Sequence, residues 1–245
     1  MSRPTIALLN AAHDAGHNSR NFRRELDAEV VEFHVPEGEL PAEFGFDAGV
    51  VTGSRASVYW DEPWIADLQS WVGEAIDRGL PMLGVCFGHQ LLADALGGTV
   101  EAMDEYEIGY REVRQERENR LLDGVDEDFT VFTTHSDAVT ELPPGAELLA
   151  ANDYGVHGFR RGDVYAVQFH PEYDTATAEE VTRGKDLDPA RKQRVLDGID
   201  PETYREACGA KGLFDNFLAV VEERAAGGSA VGAASEDAAG SAADD

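Results

Sequence analysis

A cysteine, a histidine and a glutamate stand where their neighbours make them candidates for nucleophilic chemistry. Cys86 lies within Gly84-Val85-Cys86-Phe87-Gly88-His89-Gln90, after an apolar run and before a stretch with helical spacing. A sharp strand-to-helix turn there puts the thiol at the carboxyl end of a sheet, where open α/β folds gather their ligands. It also aims the thiol at a helix N-terminus, whose partial positive charge favours a thiolate. Gly84 and Gly88 leave room for such a turn, and the backbone N–H of Phe87 would face a developing oxyanion. A buried structural cysteine is the alternative that this segment alone leaves open.

A thiol needs a base, and Phe169-His170-Pro171-Glu172 follows the apolar run Val164–Phe169. Pro171 biases His170 toward an extended conformation. Residues two apart in an extended chain project to one side, so Glu172 falls within reach of the His170 ring. The three together supply a nucleophile, a base, and a group that orients the base and stabilises its charged form.

The elements that must position these groups are short apolar runs alternating with amphipathic stretches. Thr5–Asn10, Glu29–His34, Ala48–Thr52 and Met82–Val85 read as strands. Asn18–Leu26, Trp64–Arg78 and Gly88–Leu96 read as the helices between them. Such alternation predicts an α/β fold with a flavodoxin-like open twisted sheet, mostly parallel, with helices on both faces. From Thr99 to Phe169 the texture changes to shorter strands, at Glu107–Gln115, Phe129–Thr134, Glu147–Ala150 and Val164–Phe169. Thr175–Ala207 is polar and reads as two or three surface helices, one capped at Asp200 ahead of Pro201, and Leu213–Val221 reads as a helix docked on the core.

With these motifs in order, the chain resembles the class I, or triad, glutamine amidotransferases. Val51-Thr52-Gly53-Ser54 is similar to the family's oxyanion loop and Gly84 to Gln90 to its nucleophile elbow. His135-Ser136-Asp137 is similar to its glutamine-contacting loop, Gln168 to Glu172 to its base motif, and Leu213-Phe214-Asp215-Asn216-Phe217 to its closing helix. The resemblance implies that Cys86 attacks the side-chain carbonyl of glutamine to form a γ-glutamyl thioester. His170 would carry the protons, oriented by Glu172. The N–H groups of Gly53 and Phe87 would form the oxyanion hole, and Gln90 with the main chain of Ser136 and Asp137 would bind glutamine. It implies no metal and no organic cofactor. Within the family the chain looks most like stand-alone GMP synthase-like amidotransferases, which implies a separate synthase subunit as recipient of the ammonia. Relatives with the same triad include γ-glutamyl peptidases, and a non-catalytic regulatory or binding domain of the same fold is a third possibility.

Other histidines are read more plainly. His13 and His17 fall in a small-residue loop after the first strand with no acid or thiol partner in view, and are read as loop histidines. His34 and His157 read as structural or exposed, His89 is left outside the triad, and His135 is read as shaping the glutamine loop. Trp60, Trp64 and Trp71 read as core or rim around one helix.

With 20 basic and 48 acidic residues the net charge is −28. That is the wrong sign for nucleic acid or an anionic membrane surface. Acidic residues occur throughout, as in surfaces adapted to molar salt, where screening removes the self-repulsion. Folding is therefore expected to weaken in low salt, and a melting temperature indifferent to KCl would contradict this. Two cysteines, Cys86 and Cys208, make no disulfide framework, and no secretory or spanning segment is evident, so a reducing cytoplasm is the expected compartment. The domain reading is 1–224 for the catalytic unit, with a helical insert at 174–211, and 225–245 as a disordered acidic tail of Ala, Gly, Ser and acid.

Overall fold

The computed structural model describes residues 3–13 and 15–239. Its centre is a nine-stranded sheet in the order β2-β1-β3-β4-β9-β8-β7-β5-β6. The strands are β1 (Thr5–Asn10), β2 (Glu29–His34), β3 (Ala48–Val51), β4 (Met82–Val85), β5 (Thr99–Gln115), β6 (Asp128–Glu141), β7 (Glu147–Asn152), β8 (Gly155–Arg161) and β9 (Val164–Val167). The first five in spatial order pair in parallel, giving the flavodoxin-like arrangement. From β9 outward the pairing is antiparallel, so the sheet is mixed.

Both faces of the parallel half are covered, which is why its strands read as unbroken apolar runs. Ile6 and Leu8 of β1 face one layer, with Phe22 of helix α1 (Ala15–Glu25) and Phe214 and Phe217 of α7 (Gly212–Ala239). Ala7 and Leu9 face the other, with Ile65, Leu68 and Val72 of α2 (Pro63–Asp77) and Leu91 of α3 (Phe87–Ala95). Trp64 and Trp71 are buried in that second layer, while Trp60 stays exposed.

The polar region after the base motif folds as α4 (Thr175–Arg183), α5 (Pro189–Asp197) and α6 (Pro201–Ala207). Asp174, Asp188 and Asp200 cap their N-termini with side-chain oxygens, and Pro189 and Pro201 occupy first-turn positions that need no N–H. The helices do more than cover surface. Ala178 and Ile199 pack with Ile108 and Phe132 of the antiparallel strands in a small third cluster.

Three elements differ from the sequence reading. The hairpin β5–β6 is longer than its apolar fragments, because a register shift between Ala102 and Glu107 interrupts the alternation. Strand β8 was not predicted: its two glycines, His157 and two arginines hide the pattern, although His157, Gly158 and Phe159 are buried. The 225–245 segment, predicted to lack structure, continues α7 as helical backbone to Ala239, in keeping with alanine's high helix propensity. Residues 240–245 lie outside the described residues. Among the described residues, no helix is long and apolar enough to cross a membrane.

Candidate active site

Strand β4 ends at Val85 and the chain turns at once into α3. Cys86 makes the turn with φ 55° and ψ −103°, the only positive φ at a non-glycine among the described residues. Such backbone costs roughly 1–3 kcal/mol and persists only where its surroundings hold it. Here the Cys86 N–H donates to the Val167 carbonyl of β9 at 2.9 Å, and the Cys86 carbonyl accepts from Gln90 N–H at 3.2 Å. The flanking glycines are required by contact. A Cβ on Gly84 would lie 2.4 Å from the Gly88 carbonyl oxygen, and one on Gly88 would lie 2.2 Å from that of Val51.

His170 follows β9, its N–H bound to the Phe132 carbonyl at 2.9 Å. Its Nδ1 donates to Glu172 Oε1 at 2.8 Å, with both side chains buried. That leaves Nε2 buried and without a hydrogen bond of good geometry, while the Cys86 thiol contacts the Thr134 carbonyl at 3.9 Å. Burial opposes a proton on His170, but the charges of Cys86 and Glu172 and hydrogen bonding to both outweigh it, and its pKa is pushed up to about 10. A proton held more tightly in the folded chain stabilises the fold fully below the ordinary imidazole range, and that stabilisation fades as pH rises through about 10. The Tyr173 ring stacks on His170 at 4.1 Å between centroids.

Gly53, in the loop after β3, sits between these groups: a Cβ there would lie 2.9 Å from His170 Cε1 and 3.6 Å from Cys86 Cβ. Asn18 of α1 pins this loop, donating to the Gly53 carbonyl at 2.9 Å and to Thr52 Oγ1 at 3.1 Å. Phe87 is the first residue of α3, where helical N–H groups have no intrahelical partner.

Two of the residues expected to bind glutamine, Gln90 and Asp137, are in contact. Gln90 Nε2 donates to the Asp137 carbonyl at 2.9 Å and to Gln168 Oε1 at 3.0 Å. The Asp137 carboxylate accepts from Ser57 Oγ and from the Tyr59 hydroxyl, both at 2.6 Å. Ser136 is exposed. None of these three lines the cavity of about 320 Å³ that opens over Cys86, Gly53 and His170. That cavity is bounded instead by His13, His17, Asn18, Arg55, Tyr173 and, from α4 and its end, Glu180, Val181 and Lys185. His13 lies in the loop after β1 as read from sequence, whereas His17 belongs to α1 and has an acid partner, pairing with Glu180 at 2.9 Å. Their place after β1, at the carboxyl edge of the sheet, was the available signal.

Behind the Asp137 carbonyl is a buried polar network. Its oxygen accepts from His135 Nδ1 at 2.9 Å, and His135 Nε2 lies 2.5 Å from Glu107 Oε2. His157 Nε2 reaches the same carboxylate oxygen at 3.1 Å, and Asn152 Nδ2 donates to Oε1 at 2.8 Å. Both nitrogens of His135 thus face oxygen atoms. Burial would raise the Glu107 pKa, but hydrogen bonds and charge from His135 and His157 hold it far below the carboxylate range. Burial, with like charge from His157 and His135, drives His89 down to about 3, which leaves its ring neutral. Glu107, His135 and His157 also have the composition of a metal site. The 2.5 Å contact is hydrogen-bond spacing; two ligands of one zinc at about 2 Å bonds and tetrahedral angles stand roughly 3.3 Å apart.

A cysteine at a strained strand-to-helix turn, a His–Glu pair beside it and a 2-1-3-4-9 parallel sheet define the class I glutamine amidotransferase architecture. The pattern of that family, glutamine amidotransferase class-I, matches residues 17–183, and the chain belongs to it. Over 166 residues, 61% of this chain, it is 43% identical to the glutamine-hydrolysing GMP synthase of Burkholderia ambifaria. It is 42% identical over 142 residues to the enzyme of that name from Ralstonia pickettii. The matched regions span 30% and 25% of those relatives' lengths. A glutamine amidotransferase from Thermotoga maritima superposes with a TM-score of 0.74 at 23% identity, covering 90% of this chain and 99% of that one. The Methylobacillus flagellatus glutamine amidotransferase gives 0.74 at 21% identity, covering 89% and 95%. Those structural likenesses concern the fold.

Proposed function

We propose that this chain hydrolyses the side-chain amide of glutamine through Cys86, His170 and Glu172, and supplies the ammonia to a separate GMP synthase-like subunit. The observation that carries the reading is the His170 ring, fixed by Glu172 at 2.8 Å with its other nitrogen buried beside a thiol held at φ 55°.

In this reading the Cys86 sulfur attacks the amide carbon, and the N–H groups of Phe87 and Gly53 stabilise the oxyanion, each worth about 3 kcal/mol of barrier. Collapse forms the thioester and breaks the C–N bond, with the His170 proton passing to the departing nitrogen. Water, deprotonated by His170, then cleaves the thioester and releases glutamate. Gln90 and the main chain of Ser136 and Asp137 hold the amino-acid end of glutamine, Gln90 exchanging its present partners for substrate. None of these steps calls on a metal or an organic cofactor. The 43% identity to a glutamine-hydrolysing GMP synthase over only 30% of its length supports both substrate and synthase partner.

Cleavage of γ-glutamyl amides larger than glutamine is a second reading, favoured by the cavity that α4 helps to wall. Glutamate release measured in molar KCl from glutamine and from a γ-glutamyl dipeptide separates the two. Turnover of glutamine supports the first reading; a dipeptide cleaved faster than glutamine moves the chain to the second.

A further inference from the structure

We infer that the cavity over Cys86 and His170 is a leaving-group site that takes γ-glutamyl amides whose amine carries an anionic group such as a carboxylate. This use of the cavity presupposes Cys86 as nucleophile and His170 as proton carrier.

Its position fits the departing amine. His170 protonates the leaving nitrogen, so space on the His170 side of Cys86 receives that group. Tyr173, stacked on His170, and Glu180, Val181 and Lys185 bound that side, whereas Gln90, Ser136 and Asp137 do not line the cavity. Its size exceeds the need of departing ammonia: the cavity is about 320 Å³, and a molecule the size of water takes roughly 10–15 Å³ of such space.

Its charge runs against the rest of the chain. Lysines and arginines number 20 against 48 acidic residues overall, yet among the described residues that line this cavity Arg55 and Lys185 stand with the single acid Glu180. Glu180 is already paired with His17 at 2.9 Å. Among the described residues the Arg55 guanidinium makes no hydrogen bond or ion pair, and Lys185 Nζ lies over the Tyr106 ring at 5.2 Å. Unpaired cations beside a nucleophile offer charge-assisted hydrogen bonds to an anion. As the sulfur–carbon bond forms and the C–N bond breaks, the amine leaves with the His170 proton and with its anion held by Arg55 and Lys185. Water then releases glutamate from the thioester.

Alkylation of Cys86 by a glutamine-analogue chloroketone, followed by mass spectrometry, gives a readout that needs no turnover. γ-Glutamylglycine and γ-glutamylglycinamide share the γ-glutamyl half and differ in the anion on the leaving amine. γ-Glutamylglycine is expected to protect Cys86 at about tenfold lower concentration, and Arg55→Gln with Lys185→Gln to bring the two within about twofold. Arg55→Lys, which keeps the charge, retains the preference. Equal protection in the unsubstituted protein overturns the inference. So does a double variant that weakens both compounds alike, because the cations then serve the γ-glutamyl carboxylate. A folded protein that is not alkylated at Cys86 is a separate failure, of the nucleophile assignment itself.

Discussion

Cys86→Ala is expected to reduce glutamate release from glutamine by about ten-thousand-fold or more, the scale seen when a covalent nucleophile is removed from a preorganised site. The sulfur is the atom that bonds the carbonyl carbon, and Thr134, its other neighbour, offers only a carbonyl oxygen at 3.9 Å there. The fold should survive the change. Alanine tolerates the turn at φ 55° no worse than cysteine, and the lost group is one sulfur beside an open cavity. A folded protein with lost activity, its melting lowered only modestly by loss of the charge that helps hold the His170 proton, is therefore the signature, read by pairing a melt with the glutamate assay. Retained activity in a folded Cys86→Ala protein would remove the thioester from the reaction.

Glu107→Leu is expected to cost about 3–5 kcal/mol of stability, because it leaves the buried polar nitrogens of His135, His157 and Asn152 facing an apolar group. In a chain of this size that is a drop of roughly 10 °C in Tm. Four contacts converge on the Glu107 carboxylate and its partner: His135 at 2.5 Å, His157 at 3.1 Å, Asn152 at 2.8 Å, and onward from His135 to the Asp137 carbonyl at 2.9 Å. Since that carbonyl also accepts from Gln90, the variant should raise KM for glutamine more than it lowers kcat. Glu107→Gln keeps the shape and one acceptor, so its loss should be smaller. A Glu107→Leu protein that melts with the unsubstituted chain would show that the network is dispensable.

How much of this was legible in sequence depends on whether the physics was local. The elbow was legible because a strand end, a cysteine and two small residues must be contiguous to make it, and Gly84 and Gly88 prove sterically required. The base pair was legible because His170 and Glu172 are two apart in extended chain. The cavity walls were not. His17 and Glu180 meet across 163 positions, and nothing near His17 in sequence announces an acid. The Glu107 network was hidden for the same reason, since its members come from β5, β6, β7 and β8 and meet only through sheet order. Strand β8 itself was missed because it carries glycines, arginines and a histidine where a β pattern wants branched residues.

The central claim is that Cys86 is the nucleophile toward a γ-glutamyl amide. Treating the folded protein with a glutamine-analogue chloroketone and locating the adduct by mass spectrometry tests it most directly. Cys86 is buried and Cys208 is more accessible, so simple exposure favours Cys208. Selective modification of Cys86, slowed by added glutamine, is the predicted result; an adduct confined to Cys208, or none on a folded chain, would contradict it.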